Sequence, residues 1–252
     1  MQDVDATIAV LTQRPGRTVI LSDFDGSLAP IVERADDARP LPEAVDVLTR
    51  LADHFGRVGV VSGRPFEYLA RYLPIDSLAF SGLYGYERRI DGVYEVDPRV
   101  TIYRERIAHA TDELAARFDD LVENKAGISV TVHWRPRPEL EPEMSAFACE
   151  VARRYNLDTY ATRMAIELRP PVPIDKGDAV RALTADFDIG AFAGDDRGDI
   201  PAFRALSEME QSVRIGVRSP EMPPDLAAES DVIVDGPEGL LLLLRRVLDA
   251  VA

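Results

Sequence analysis

Short apolar strand patterns alternate with amphipathic helical patterns at both ends of the chain, and this rhythm constrains the fold most. Residues 18–23 and 57–62 have the composition of buried strands, and residues 42–55 between them place apolar side chains on one helical face. The rhythm returns after residue 174, where residues 189–194 form another buried strand pattern between helical patterns. This alternation predicts a doubly wound sheet of parallel strands.

The middle of the chain follows a different pattern. Asp91-Gly92 lies at the centre of a hairpin pattern, and residues 128–134 and 164–169 alternate apolar with polar side chains. Two helical patterns, at residues 104–118 and 139–155, lie in the same region. Strands that alternate in this way are typical of an antiparallel sheet with one apolar face. The middle is therefore a unit of a different kind.

These two patterns together predict the domain organisation. We expect an α/β fold in which a doubly wound, Rossmann-like core, residues 1–98 and 174–252, is interrupted by an inserted α+β domain at residues 99–173. No apolar run is long enough to span a membrane, and the N-terminal residues lack the features of a signal peptide. The single cysteine, Cys149, excludes an internal disulfide, so we expect a reducing, cytoplasmic location.

The charge balance excludes some partners. The chain has 29 basic and 44 acidic side chains, a net charge of −15, which disfavours nucleic acid and anionic membranes as partners. Residues 100–172 carry 10 basic and 12 acidic side chains, so most of the acidic excess belongs to the predicted core. An anionic substrate would therefore need a cation to reverse the local charge at its site.

Polar residues follow the predicted core strands or open a core helix. In a doubly wound sheet, ligands bind beyond the carboxyl ends of the strands, and the topology brings these ends to one sheet edge. The residues at these positions are Asp23, Asp25, Gly26, Ser62, Lys176, Asp195 and Asp199.

This set has the chemistry of a metal-assisted phosphate site. Carboxylate oxygens are hard ligands that suit Mg²⁺, and Asp23, Asp195 and Asp199 supply them. Ser62 and Lys176 supply a hydroxyl group and a fixed positive charge for a phosphate group.

Asp23 and Asp25 are two residues apart, and Gly26 follows them. One carboxylate can attack phosphorus to form an aspartyl-phosphate. The second can protonate the leaving oxygen and then deprotonate the water that hydrolyses the intermediate. Gly26 allows the backbone N–H groups of the turn to approach the phosphate closely.

Four segments occur in the order expected of the haloacid-dehalogenase-like phosphatases, and the chain resembles that superfamily. Ser27 stands where Thr is usual in the first segment. The insert resembles the cap domain of this superfamily. The matching segments are residues 23–28 (DFDGSL), Ser62, Lys176 and residues 194–199 (GDDRGD).

Further segments make the chain similar to one family within this superfamily, the trehalose-6-phosphate phosphatases. The resemblance covers most of the chain, and its segments in the insert point to the sugar. The segments are residues 23–32, 62–64, 82–87, 123–125, 132–135, 167–170 and 176–177.

The resemblance implies a role for each acidic residue. Asp23 would be the nucleophile and a metal ligand. Asp25 would be the general acid and base, and its backbone carbonyl would bind Mg²⁺. Asp195 would complete the protein ligands, and Asp199 would be a further ligand or would hold a metal-bound water.

The resemblance also implies the substrate-binding residues. Ser62 and Lys176 would bind the phosphate group, together with the turn at Gly26. The residues expected to bind or line the sugar are Gly82, Tyr84, Glu123, Lys125, Arg135 and Glu167.

The implied activity is Mg²⁺-dependent hydrolysis of trehalose 6-phosphate through an aspartyl-phosphate, with a functional link to a trehalose-6-phosphate synthase. A sucrose phosphate or a mannosyl-glycerate phosphate is an alternative substrate, because the core chemistry is shared. A signalling receiver domain also uses an Asp cluster, but it lacks a cap and is about half as long. A catalytically dead binding module is disfavoured by the intact pair Asp23 and Asp25.

Some of these positions also fit ordinary structural roles. Asp199 at a helix start would interact favourably with the helix dipole, and Ser62 fits a helix N-cap. Glu123 and Lys125 also fit an exposed charged loop. His133, on the polar side of an alternating strand, fits a surface residue as well as a substrate contact.

Overall fold

A computed structural model describes residues 4–32, 34, 37–162, 164–220 and 222–251. The chain divides by its internal contacts into two compact units. Unit 1 comprises Met1–Val32, Ala38–Glu95 and Ile174–Ala252, and unit 2 comprises Glu33–Asp37 and Val96–Pro173.

The elements of the described residues alternate as expected at both ends of the chain. The strands are β1 (Thr18–Ser22), β2 (Arg57–Val61), β3 (Ala79–Gly82), β4 (Glu87–Ile90), β5 (Val93–Val96), β6 (Val122–Lys125), β7 (Ser129–His133), β8 (Asp158–Thr162), β9 (Ala165–Arg169), β10 (Ile189–Gly194), β11 (Gln211–Arg218) and β12 (Val232–Asp235). The helices are α1 (Val4–Leu11), α2 (Ala44–His54), α3 (Phe66–Tyr72), α4 (Pro98–Thr101), α5 (Arg104–Phe118), α6 (Glu141–Tyr155), α7 (Lys176–Thr184), α8 (Ile200–Leu206), α9 (Pro224–Glu229) and α10 (Gly236–Asp249).

Unit 1 is built on a sheet with the strand order β12-β11-β10-β1-β2-β3-β4-β5. The first six strands are parallel, and β4 joins β3 in the antiparallel direction. The hairpin between β4 and β5 turns at Asp91 and Gly92, both with positive φ, as a two-residue turn of this kind requires.

Helices cover both faces of this sheet. β1 is buried along its whole length, as a central parallel strand must be. Ile20 faces a core with α1, α2 and α10, whereas Val19 and Leu21 face a core with α7, α8 and α9. The alternation of neighbouring residues between two apolar cores is the physical basis of the doubly wound arrangement.

Unit 2 is an antiparallel sheet with the order β6-β7-β9-β8, and α5 and α6 pack on one face. Val130, Val132, Ile166 and Leu168 face the core with these helices. The predicted class, an α/β protein with a doubly wound core and an inserted α+β domain, is confirmed.

The sequence patterns left several short elements without a prediction, among them β3, β6 and β8. β6 and β8 are rich in polar residues, and β8 is a largely exposed edge strand, so neither shows the apolar alternation that marks a strand. Within the described residues, no helix combines the length and the apolar character needed to cross a membrane.

Candidate active site

The carboxyl ends of neighbouring parallel strands carry the first group of predicted site residues. Asp23 follows β1, Ser62 follows β2 and Asp195 follows β10, and β1 lies between β2 and β10 in the sheet. All three residues are buried. The parallel topology therefore places side chains from distant parts of the sequence at one edge of the sheet.

Lys176 contacts two of the carboxylates at this edge of the sheet. Its Nζ lies 3.0 Å from Oδ2 of Asp23 and donates a hydrogen bond of 2.6 Å to Oδ1 of Asp199. Lys176 is the first residue of α7, and Asp175 caps the helix by accepting from the backbone N–H groups of Gly177 and Asp178. The helix start thus fixes the point from which the lysine reaches the carboxylates.

Three acidic side chains form a cluster that can hold a metal ion. Asp23, Asp195 and Asp199 each offer one carboxylate oxygen, and these oxygens lie within 4.8 Å of one another. Oδ2 of Asp199 also accepts from the backbone N–H of Asp195 at 2.9 Å. Ser219, which follows β11, donates to Oδ2 of Asp195 at 2.9 Å.

Burial and mutual repulsion set the protonation of this cluster. Burial raises the pKa of Asp23 well above its usual value, against the attraction of Lys176. Burial and the neighbouring Asp199 raise the pKa of Asp195 to about 8, and burial raises that of Asp199 to about 6. Burial opposes the charge of Lys176, but Asp199 and Asp23 outweigh it and raise its pKa well above the usual value. A divalent cation would supply the positive charge that the three carboxylates lack, so the donor set fits a hard metal ion.

Gly26 leaves room for the carboxylate of Asp195. Its φ of +81° lies in the region that favours glycine, and a Cβ atom there would lie 2.2 Å from Oδ2 of Asp195. A side chain at position 26 would therefore displace a member of the cluster.

Asp25 turns its carboxylate to Arg64. Arg64 donates from Nε to Oδ2 and from Nη2 to Oδ1 of Asp25, and both distances are 2.8 Å. The guanidinium carbon of Arg64 also lies 4.6 Å from the ring centroid of Tyr68. These contacts fix the orientation of the arginine that holds the second acidic residue of the motif.

Ser62 belongs to the loop after β2. Its Oγ accepts from the backbone N–H of Arg64 at 3.2 Å, and its carbonyl accepts from the N–H of Tyr84 at 2.9 Å. The alternative interpretation of Ser62 as a helix N-cap is wrong, because α3 has Pro65 at its N-cap.

Gly82 and Tyr84, two further predicted site residues, lie at and just after the end of β3. Tyr84 has a φ of +62°. A Cβ atom at Gly82 would lie 2.6 Å from Oε1 of Glu87.

The remaining predicted site residues lie in unit 2, and three of them are on the β-sheet. Glu123 on β6 pairs with Thr131 on β7, and Thr131 pairs with Glu167 on β9. Residues paired in this way share one face of a sheet. Lys125 shares the face with Glu123, since it lies two residues further along β6. This polar sheet face is the one opposite to α5 and α6.

Glu167 is buried between two cations. It accepts from Ser129 at 2.6 Å and from Nη2 of Arg169 at 2.7 Å, and Nζ of Lys125 lies 3.5 Å away. Burial alone would raise the pKa of Glu167, but Lys125 and Arg169 outweigh it and lower the pKa. Glu167 is therefore held as a carboxylate, which can accept hydrogen bonds from hydroxyl groups.

Two further residues of this region differ in their surroundings. Nε2 of His133 lies 2.8 Å from Oε2 of Glu123. Arg135 lies just beyond the end of β7, is half-buried, and makes no hydrogen bond or ion pair with the described residues.

Sequence reasoning did not assign a role to Arg64 or to Ser219, although both contact predicted site residues. Ser219 follows the end of β11, so the rule that selected Asp23 and Asp195 also selects it. Arg64 belongs to the segment 62–64 that resembles the family, but only the structure reveals its contact with Asp25.

The parallel core, the acidic cluster at its strand ends and the inserted α+β domain define the class: a doubly wound α/β protein with a candidate metal site at the carboxyl ends of its strands. Two solved structures share the fold. One is a crystal structure of a trehalose-6-phosphate phosphatase related protein, with a TM-score of 0.77 and 23% identity over 92% of this chain and 97% of that chain. The other is the C-terminal domain of the trehalose-6-phosphate phosphatase of C. albicans, with a TM-score of 0.78 and 19% identity over 98% of this chain and 97% of that chain.

The sequence comparisons identify the family. The model of the trehalose-phosphatase family matches residues 21–232, and the chain belongs to this family. It is 30% identical over 204 residues to a trehalose-phosphate phosphatase of Mycobacterium leprae, and the matched region covers 74% of this chain and 47% of that protein. It is 27% identical over 245 residues to trehalose 6-phosphate phosphatase RA3 of Zea mays, which covers 87% of this chain and 67% of that protein. The chain thus spans about half the length of the mycobacterial relative and about two thirds of the maize relative.

Proposed function

We propose that the protein is a Mg²⁺-dependent phosphatase that hydrolyses trehalose 6-phosphate to trehalose and phosphate. The observation that carries the proposal is the buried contact of Lys176 with Asp23 and Asp199, beside Asp195, in a chain of the trehalose-phosphatase family. At the strand ends, a carboxylate offers the nucleophile, and the buried lysine beside it offers the positive charge that a phosphate needs.

The reaction has two halves. In the first, a carboxylate oxygen of Asp23 bonds to phosphorus, the bond from phosphorus to the sugar oxygen breaks, and Asp25 gives its proton to that oxygen. In the second, Asp25 takes a proton from water, whose oxygen bonds to phosphorus and releases phosphate from Asp23. The same carboxyl group serves as acid and then as base, so Asp25 regains its starting state.

The residues of the sheet edge would divide the work of binding. Ser62, Lys176 and the turn at Gly26 would bind the phosphate oxygens. Mg²⁺ would supply positive charge that stabilises the phosphoryl group during transfer. Its protein ligands would be Asp23, the backbone carbonyl of Asp25, Asp195 and Asp199.

We propose that unit 2 is the cap domain and that its polar sheet face recognises the sugar. Glu123, Lys125 and Glu167 lie on that face, and a carboxylate or ammonium group there can bind hydroxyl groups. Arg135, which has no partner among the described residues, offers five further N–H donors. On unit 1, Gly82 and Tyr84 would line the substrate. A trehalose-6-phosphate synthase would supply the substrate.

Phosphate release from a panel of substrates tests the proposal. Trehalose 6-phosphate, sucrose 6-phosphate, mannosyl-glycerate phosphate and glucose 6-phosphate are compared with Mg²⁺ and with EDTA. Asp23→Asn removes the proposed nucleophile, and Asp46→Asn makes the same change at an exposed position on α2. We expect the highest kcat/KM with trehalose 6-phosphate, loss of activity with EDTA and with Asp23→Asn, and full activity with Asp46→Asn.

Three results would contradict the proposal in different ways. Equal kcat/KM for trehalose 6-phosphate and glucose 6-phosphate would exclude recognition of the disaccharide. A higher value for sucrose 6-phosphate or for the mannosyl-glycerate ester would move the chain to the alternative substrate class. Activity that survives Asp23→Asn would exclude the aspartyl-phosphate.

A further inference from the structure

A histidine and a carboxylate contact each other on the polar sheet face of unit 2. Nε2 of His133, the last residue of β7, lies 2.8 Å from Oε2 of Glu123 on β6. Because a carboxylate can only accept, Nε2 carries the proton and donates it. The side chains of His133 and Glu123 are 29% and 27% exposed, so the pair is open to a ligand.

The strand register explains why these two side chains meet. Glu123 pairs directly with Thr131, and His133 lies two residues further along β7 on the same face. A diagonal neighbour of this kind is within reach of a long or aromatic side chain. The contact therefore follows from the pairing of β6 with β7 rather than from a flexible loop.

The hydrogen bond from His133 restricts the rotamer of Glu123 and leaves acceptor sites on its carboxylate for a ligand. A half-exposed glutamate samples several rotamers, and ordering it during binding costs free energy. A hydrogen bond to Oε2 selects one rotamer before the ligand arrives. A carboxylate has about four lone-pair sites, so it can accept a further hydroxyl hydrogen while it is held by His133.

We propose that His133 is a positioning residue that holds Glu123 in the rotamer that accepts a sugar hydroxyl. The proposal rests on the proposed function, in which Glu123 binds the sugar of the substrate. His133 acts through Glu123 and makes no contact of its own with the sugar. It is thereby a determinant of sugar affinity and not of the phosphoryl transfer itself.

A double-mutant cycle tests this role. His133→Phe removes the donor and keeps a ring, and His133→Gln restores an N–H donor near the position of Nε2. Both changes are made in the wild type and in Glu123→Ala. The readouts are KM and kcat for trehalose 6-phosphate and the ratio of kcat/KM for this substrate to kcat/KM for p-nitrophenyl phosphate. His109→Phe, at an exposed position on α5, controls for the chemical change.

We expect His133→Phe to raise KM for trehalose 6-phosphate about fivefold to tenfold, the loss typical of a single hydrogen bond, and to lower the substrate ratio accordingly. His133→Gln should recover most of the wild-type KM. In the Glu123→Ala background, His133→Phe should change KM by less than about twofold, because a residue that acts only through Glu123 has nothing left to position. His109→Phe should leave the ratio unchanged.

Other results would overturn the proposal. An unchanged KM in His133→Phe would exclude any role in binding, and an equal increase in KM in the Glu123→Ala background would make His133 a direct contact instead. A loss of activity that His133→Gln fails to restore, with a lower kcat on both substrates, would indicate a structural role. If Glu123→Ala leaves KM unchanged, the premise about Glu123 fails. If the wild type does not prefer trehalose 6-phosphate, the proposed function fails, which the panel above detects separately.

Discussion

Arg64 holds Asp25 by two parallel hydrogen bonds of 2.8 Å, from Nε to Oδ2 and from Nη2 to Oδ1. The arginine is only 8% exposed, and its guanidinium group lies over the ring of Tyr68. Two bonds fix both the position and the plane of the carboxylate, which a single point charge cannot do. In the proposed function, Arg64 therefore controls where the acid and base group lies.

Arg64→Lys tests this control. Lysine keeps the charge but lacks the two parallel N–H donors of the guanidinium group. We therefore expect kcat for trehalose 6-phosphate to fall about 10- to 100-fold through misplacement of Asp25. The fall should be smaller with p-nitrophenyl phosphate, because its leaving group needs less help from a general acid. Steady-state kinetics with both substrates measure the difference.

Arg71→Lys is the matched control, because Arg71 lies exposed on α3. Its kcat should equal that of the wild type with both substrates. An equal loss of kcat with the two substrates in Arg64→Lys would argue against a role of Arg64 in placing Asp25. A kcat equal to that of the wild type would exclude any role of the paired hydrogen bonds.

The sequence was sufficient to predict the fold and to gather residues at the sheet edge. The sequence predicts that Asp23, Ser62 and Asp195 meet because parallel topology determines where strand ends lie, whatever the side chains do there. It indicates Lys176 because this residue opens a core helix after the insert. These inferences depend on backbone topology, which the apolar pattern encodes.

Contacts between side chains were beyond such reasoning. The pairing of Arg64 with Asp25 joins residues 39 positions apart, and it depends on the rotamers of both. The residues of β8 are mostly polar and exposed, so they form no apolar pattern, and the contact of Ser219 with Asp195 depends on side-chain rotamers that no sequence pattern defines. The contact of His133 with Glu123 needed the register of β6 and β7, which a strand pattern alone does not define.

Lys176→Met should lower the stability of the protein, because it removes the positive charge that offsets the buried carboxylates of the site. Methionine fills similar space but leaves Asp23 and Asp199 without their buried counter-charge. Removing one partner of a buried ion pair costs about 3–5 kcal/mol, so we expect the free energy of unfolding to fall by about 3 kcal/mol without metal. Urea denaturation measures it, and phosphate release should be lost. An unchanged free energy of unfolding would show that the lysine does not neutralise these carboxylates.

Gly26→Ala should weaken metal binding through Asp195. The new Cβ atom would lie 2.2 Å from Oδ2 of Asp195 and must displace it. Gly92→Ala is the matched control, because Gly92 has a φ of +79° and no atom within 4 Å of a Cβ, so it carries the backbone strain without the collision. Both variants should lose about 1 kcal/mol of stability from φ. Only Gly26→Ala should also weaken the binding of Mg²⁺ in a calorimetric titration, and equal Mg²⁺ affinities in the two variants would contradict this.

Asp231 should make the stability of unit 1 depend on acid pH. It accepts from the backbone N–H, Nε and Nη2 of Arg214, and although burial opposes this, these bonds lower its pKa. A carboxyl group whose pKa is lower in the folded state stabilises the fold fully above its unfolded pKa of about 4, and the gain is lost as pH falls through the folded pKa. Asp231→Asn should therefore lower the free energy of unfolding at pH 6 and flatten its decline between pH 5 and pH 2. Asp46→Asn, at an exposed position, should leave that decline unchanged. Parallel pH profiles of wild type and Asp231→Asn would show that the pair contributes nothing to acid sensitivity.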